Sequence, residues 1–275
     1  MTKHPLDELL RVNRLPHIWC PGCGNGTILG ALLRALKRLA DRGLIDLDKT
    51  VVVSGIGCTG RAASYVNLDT AHTPHGRAIP FATGVKLANP KLEVIVFSGD
   101  GDLAGIGCGH LVHAARRNMD LTVIMVNNMV YALTGGQVAP TTLLNVYTTT
   151  TPRGNPEPPL DVARLVALLG VNYAARWSIH YPHKLVDIIY DAIAKRRGFR
   201  FVEVVSLCPE IYGRHIGCRS PVELYELLKR IVKPRGRVSP YEARYDNTEI
   251  TLGVFADNDY PGYLERIGLK TNEDH

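Results

Sequence analysis

The chain contains no run of eighteen or more apolar residues, which excludes a hydrophobic membrane-spanning helix. Met1 to Arg14 are polar and charged, without the basic start and apolar stretch of a secretory signal, so a cytoplasmic location is expected. Aromatic residues are scarce, at 7%, and are not interleaved with basic ones as in a nucleic-acid binder. Excess charge is small: 32 Lys and Arg against 26 Asp and Glu leave +6. The basic clusters Arg34-Lys37-Arg38, Arg116-Arg117 and Lys195-Arg196-Arg197 fall on or at the ends of expected helices. Solvated faces and helix-dipole partners account for them, although a basic face also steers acidic redox proteins or anionic cofactors. There is no internal repeat. Cysteine is limited to six, and in a cytoplasmic chain these argue for metal or catalysis before disulfides.

Apolar residues are plentiful, at 45% of 275, enough for a sizeable core. Ile28, Leu29, Leu32, Leu33, Leu36 and Leu39 recur at helical spacing and predict a helix over 24–41. Thr50 to Ser54 reads as a buried strand that ends in Gly55-Ile56-Gly57-Cys58. A helix opens at Pro80, a strand covers 93–98, a helix covers 105–117 and a strand covers 121–127. Residues 129–159 are long and irregular, which marks a functional or mobile loop. Helices over 160–169 and 183–196 then alternate with strands over 172–177 and 200–206. Such alternation predicts an α/β fold with a doubly wound parallel sheet. A last helix runs from Pro221 to Val232. Beyond it, periodicity is lost and Pro, Asp and Asn accumulate. The expected organisation is one α/β domain over 1–232 and an extended C-terminal arm over 233–275 that packs on a partner.

The most informative run is Gly99-Asp100-Gly101-Asp102, which follows the apolar strand Val94-Ile95-Val96-Phe97. Twenty-six residues separate Gly101 from Asn128, and the strand Leu121–Val126 delivers Asn127-Asn128. Neighbouring parallel strands would present Asp100 and Asn128 together at their carboxyl ends, where open α/β sheets bind ligands. A carboxylate, an amide oxygen and a nearby backbone carbonyl suit a Mg²⁺ that carries a diphosphate. Glycines there let the backbone approach the phosphates. Alone, GDGD also fits a tight turn with solvated carboxylates. With the asparagine pair at this distance, the spacing resembles the thiamine-diphosphate signature.

The cysteines form a second pattern. Trp19-Cys20-Pro21-Gly22-Cys23-Gly24 is a CxxC just before a helix, Cys58 ends a strand, and Cys208 precedes Pro209 after the last predicted strand. All sit at the same end of their elements and could converge as four thiolates. A redox dithiol of the thioredoxin type fits poorly, because no strand precedes the CxxC. Structural zinc commonly pairs two CxxC knuckles, and only one is present. Iron–sulfur clusters accept scattered single cysteines, with Cys-Pro common at the last. Spacing alone leaves zinc and iron–sulfur both open. Cys108 reads as a small core residue within a helix. Cys218, in a loop ten residues after Cys208, is a rival for the fourth position.

Together, WCPGCG at 19–24, GIGC at 55–58, HGRAIPFATGVKLANP at 75–90, GDGD at 99–102, NNMVYALTGGQVAPT at 127–141 and Cys208-Pro209 resemble the β subunits of 2-oxoacid:ferredoxin oxidoreductases. The resemblance spans residues 18–210. It implies a thiamine-diphosphate-binding fold of the pyrophosphate-domain type. By position, Cys20, Cys23, Cys58 and Cys208 resemble the ligands of one [4Fe–4S] cluster. Asp100, Asn128 and the carbonyl of Val130 resemble the Mg²⁺ ligands. Gly57, Gly99, Gly101, Asp102, Thr134 and Gly135 would line the cofactor. His75, Gly76 and Arg77 resemble a segment near cofactor and substrate, and Arg61 would meet a substrate carboxylate, for which its planar fork is suited.

The implied activity is oxidative decarboxylation of a 2-oxoacid, with coenzyme A taking the acyl group and a separate ferredoxin taking the electrons. The chain lacks the tandem cysteine runs of a built-in ferredoxin, so one cluster is expected. No Glu suits activation of the cofactor's aminopyrimidine ring. That acid, with the pyrimidine-binding domain, is expected from an α subunit in an αβ or (αβ)2 assembly. The chain alone should be inactive. HGRAIPFATGVKLANP and the single cluster look most like the 2-oxoglutarate enzymes of the family, forming succinyl-CoA. Pyruvate and branched-chain 2-oxoacids remain alternatives, as do a non-redox thiamine-dependent decarboxylase half with a structural metal and a zinc-binding assembly subunit. Neither a nucleic acid nor a membrane is expected as a partner.

Overall fold

Buried apolar runs build the centre of the molecule. In the computed structural model, which describes residues 4–269, the strands β1 (Thr50–Ser54), β3 (Glu93–Gly99), β4 (Thr122–Asn127), β5 (Tyr173–Ser178) and β6 (Arg200–Val205) are covered on both faces. Continuous apolar runs of this type are what a two-sided parallel sheet needs. A short strand, β2 (Asp69–His72), and two C-terminal strands, β7 (Val232–Arg237) and β8 (Ile250–Asp257), complete it. The strand order is β2-β1-β3-β4-β6-β5-β8-β7. The first six are parallel, and β8 joins β5 antiparallel.

The helices divide between the two faces, as a doubly wound sheet requires. The helices α1 (Asn25–Ala40), α5 (Pro182–Ala194) and α6 (Pro221–Ile231) share one core, through Ile28, Leu32, Leu36, Ile188, Ile189 and Leu224. On the opposite face lie α2 (Ala78–Ala88), α3 (Cys108–Arg116), α4 (Val162–Leu168) and the short α7 (Tyr263–Arg266), around Ile79, Leu111, Val166 and Leu264. All six apolar positions that predicted α1 are buried. No described helix is long and apolar enough to cross a membrane.

The expected C-terminal arm is corrected in its first half. Residues 232–257 are not a free arm: β7 and β8 extend the sheet. Strand β7 escaped the sequence reading because Lys233, Pro234, Arg235 and Arg237 are exposed on an edge. Charge and proline are how edge strands avoid further pairing. Strand β2 is polar and at the other edge, and lacks alternation for the same reason. Residues 270–275 of the expected arm lie outside the described residues.

Candidate active site

Strands β3 and β4 are neighbours, with Gly99 paired to Val126. Asp100 therefore leaves β3 beside Asn127 and Asn128 at the carboxyl edge. A cavity of about 190 Å³ opens there, lined by Gly57, Cys58, Gly99, Asp100, Asn128 and Val130 among others. Asp100 is 2% exposed. Its Oδ2 accepts from the Met129 amide at 3.0 Å and from the Thr141 hydroxyl. Burial pushes its pKa up to about 6, against the opposing pull of those donors. A carboxyl group raised in this way gains from a cation at its free oxygen. Asn128 Oδ1 accepts from the Val130 amide at 3.3 Å, which closes the turn that presents the Val130 carbonyl. Met129, within the turn, has a positive φ of 64°. The two asparagines differ. Asn128 lines the cavity, whereas Asn127 is fully buried and donates to Glu203 at 2.6 Å.

Asp102 lines the cavity as expected, and it also has a structural task. Its carboxylate is fully enclosed and ties two loops together. Oδ1 accepts from the amides of Ile56 at 3.1 Å and Gly76 at 2.7 Å and meets His75 Nδ1 at 2.8 Å, while Oδ2 accepts from Ser98 at 2.9 Å. Four donors leave it little capacity for a ligand. The role it does have is to orient His75: with Nδ1 engaged, Nε2 is the free ring nitrogen. Tyr131 packs edge-on to His75, at 6.1 Å between ring centroids, and its hydroxyl donates to the Gly101 carbonyl at 3.0 Å. A Cβ on Gly101 would lie 2.3 Å from the Tyr131 ring, so glycine is required there for the ring to close over the turn.

The cysteines gather at the same edge. Cys20, Cys23, Cys58 and Cys208 lie within electrostatic reach of one another: Cys20, Cys58 and Cys208 each raise the pKa of another member. Burial is the larger cause, and it pushes Cys23 up to about 12. Cys218 interacts with Glu223 and Tyr212 instead, so it does not join the set. Trp19 binds the set's two loops together: its indole N–H donates to the Cys58 carbonyl at 2.7 Å. Among the described residues, no three His, Cys, Asp or Glu side chains are arranged to hold a single metal ion.

Comparison with known proteins decides the family. The family model for the thiamine pyrophosphate enzyme, C-terminal TPP binding domain, matches residues 55–204, the stretch containing the cavity. The chain is 44% identical to the 2-oxoglutarate synthase subunit KorB of Methanothermobacter thermautotrophicus, over 98% of this chain and 93% of that one. It is 47% identical to the 2-oxoacid:ferredoxin oxidoreductase subunit beta of Saccharolobus solfataricus, over 72% of this chain and 64% of that one. The chain is a β subunit of the 2-oxoacid:ferredoxin oxidoreductase family. Its fold is also that of a solved 2-oxoglutarate:ferredoxin oxidoreductase from Magnetococcus marinus, whose structure holds 2-oxoglutarate, coenzyme A and succinyl-CoA. The TM-score is 0.83 at 30% identity, covering 100% of this chain and 94% of that one.

As a 2-oxoacid:ferredoxin oxidoreductase β subunit, the chain is one part of an oxidoreductase that resembles 2-oxoglutarate synthase and pairs with an α subunit. Not all sequence-derived candidates reach its cavity. His75 and Thr134 line it, but Gly135, Arg61 and Arg77 do not. Arg61 is exposed on the turn Thr59–Ser64, close enough to Cys58 to lower its pKa. Arg77 is exposed and donates to the Gly76 carbonyl at 3.3 Å. Sequence reasoning missed Trp19, Tyr131 and Thr141. All three stand inside recognised motifs, but their role appears only when a side chain meets a segment distant in sequence.

Proposed function

We propose that this β subunit supplies the cofactor half of an enzyme that oxidatively decarboxylates 2-oxoglutarate to succinyl-CoA and passes electrons to ferredoxin. The observation that carries the reading is Cys58. It lines the cavity beside Asp100 and Asn128, and it also faces Cys20, Cys23 and Cys208. One residue thus joins a cation-and-diphosphate site to a four-thiol site, which is the juxtaposition an electron path needs.

Thiamine diphosphate, when bound, supplies a carbanion and an electron sink. The side chains of Asp100 and Asn128 and the carbonyl of Val130 would hold its Mg²⁺. Gly57, Gly99, Gly101 and Thr134 line the space its phosphates need. His75 lines the cavity with its Nδ1 held by Asp102, so its Nε2 would be the ring nitrogen available to handle a proton there. Cys20, Cys23, Cys58 and Cys208 would hold one [4Fe–4S] cluster, with the exposed Cys20 toward solvent and the ferredoxin. Among the described residues no Glu lines the cavity, in keeping with an activating acid supplied by the α subunit. Exposed Ile56 and Leu133 at the cavity mouth are apolar surface for that subunit to cover. Arg61, outside the cavity on the turn after Cys58, would meet a distal substrate carboxylate once the α subunit closes the site.

The test is iron and sulfide content with an anaerobic visible and EPR spectrum of the αβ complex. About four irons and four sulfides per β chain, bleached by 2-oxoglutarate with coenzyme A, are expected. Bleaching by pyruvate alone would change the substrate, and zinc without bleaching would overturn the redox reading.

A further inference from the structure

The Asp100 carboxylate belongs to a closed ring of hydrogen bonds that reaches outside the cofactor-binding segment. The Thr141 hydroxyl donates to Asp100 Oδ2. The Thr141 carbonyl accepts from the Tyr245 hydroxyl at 2.9 Å. That hydroxyl accepts from Asn127 Nδ2 at 2.9 Å. Asn127 Oδ1 accepts from the Met129 amide at 3.1 Å, and the same amide donates to Asp100 Oδ2 at 3.0 Å, closing the ring. Asp100, Asn127 and Thr141 are each at most 2% exposed, and Tyr245 is 7% exposed. Water therefore has little access to replace any member.

Tyr245 lies between β7 and β8, beyond residues 55–204 where the thiamine pyrophosphate family model matches. It is anchored independently of the cavity. The Arg176 guanidinium sits 4.8 Å from its ring centroid, and residue 245 bridges to Ile250 of β8. Arg176 in turn pairs with Glu203 at 3.1 Å, and Glu203 accepts from Asn127.

We infer that the C-terminal sheet extension is a strut for the cation site, and that Tyr245 is a positioning residue that fixes Asp100 and the 127–130 turn for the diphosphate-bound cation. This rests on the reading of Asp100 and Asn128 as cation ligands. The mechanism is geometric. One hydroxyl holds the Thr141 carbonyl and the Asn127 amide at once, so it sets both the donor on Asp100 and the start of the turn that carries Asn128 and Val130. Groups that orient a metal's ligands affect affinity by about ten- to a hundredfold when removed.

The experiment is Mn²⁺ binding to the cofactor-free αβ complex in the presence of thiamine diphosphate, read as loss of the free-ion EPR signal. Y245F should raise the Mn²⁺ Kd about tenfold or more. Ile193→Val, which trims the core under α5, should lower thermal stability while leaving the Kd unchanged. A purely structural Tyr245 would behave like Ile193→Val, and an unchanged Kd in a folded Y245F overturns the inference alone. If the parent complex binds no Mn²⁺ with thiamine diphosphate, the cation-ligand reading and the inference both fall. Should Y245F not fold, Thr141→Val removes the donor to Asp100 from the other end of the ring and must weaken Mn²⁺ binding, with Thr141→Ser restoring it. Equal affinity in both Thr141 variants counts against the ring.

Discussion

The carboxyl edge of the sheet has two halves built on opposite plans. Around Asp100, the protein has already spent its hydrogen bonds: Asp102 takes four donors, Asp100 two, and Tyr245 closes the network from the far side. Around Cys23, thiols that range from exposed to buried lie within electrostatic reach, and Cys20, Cys58 and Cys208 each disfavour a neighbour's ionisation. The loop carrying Cys20 and Cys23 is tied by the Trp19 indole to the Cys58 carbonyl and by the Gly24 amide to the Leu207 carbonyl at 3.2 Å. The first half is organised before its guest arrives. The second places ligands whose charged form is favoured only when a positive guest is present, as metal sites coupled to folding do. Each half should therefore respond differently to loss of a single ligand.

The largest effect is expected from Cys208→Ser. The αβ complex should lose most of its iron, and electron transfer to ferredoxin should fall about a hundredfold or more. Thiamine diphosphate binding, measured by calorimetry, should stay within about twofold, because the Asp100 network does not depend on Cys208. Cys218→Ser should keep its iron. If both substitutions release iron alike, the fourth ligand has been misassigned.

Next comes Asp100→Asn, the mirror experiment. Iron should be retained and thiamine diphosphate binding with Mg²⁺ lost. Stability should move the other way. The folded Asp100 has its pKa raised to about 6 from 3.8, so it binds a proton more tightly folded than unfolded. Its contribution to stability is present below pH 4 and is lost as pH rises through about 6. Asparagine carries no such dependence. The cofactor-free variant should exceed the parent in stability by on the order of 3 kcal/mol at pH 7, and by little at pH 4. Urea unfolding at the two pH values checks this. A gap that does not grow with pH would remove the picture of Asp100 as a carboxylate waiting for a cation.

The sequence made these two halves legible to different degrees. Asp100, Asn128, Cys58 and Cys208 are each fixed by a strand end and a spacing, and strands end where apolar runs end, while Cys20 and Cys23 are fixed by the start of α1. The helix α1 announced itself through six leucines and isoleucines on one face, all of which are buried. What stayed hidden depends on contacts between segments far apart in the chain. Asp102 lines the cavity as its place in GDGD suggests, but the partners that hold its carboxylate, Ile56 and Gly76, are 46 and 26 residues away and gave no local signal. Tyr245 lies in a polar stretch with no periodicity and reaches the site through a partner 104 residues distant. Edge strands such as β7 carry charge instead of an apolar pattern, so their membership in the sheet has no local signal.

The smallest effect should come from Trp19→Phe. Phenylalanine keeps an aromatic ring near Tyr65, which Trp19 meets edge-on at 5.1 Å between centroids. It removes the N–H that holds the Cys58 carbonyl, at a cost of about 1 kcal/mol. That cost falls on the closed form of the CxxC loop and should raise the population of the open form about fivefold. Iron release to a chelator, followed anaerobically, should quicken by a similar factor, while Mn²⁺ affinity at the Asp100 site stays as in the parent. The pairing of these two readouts matters more than either. Faster iron release with unchanged cation affinity means that the cysteine half opens on its own. A matching loss at the Asp100 site would show that Cys58 transmits strain between the halves, and the carboxyl edge would then have to be treated as one cooperative unit.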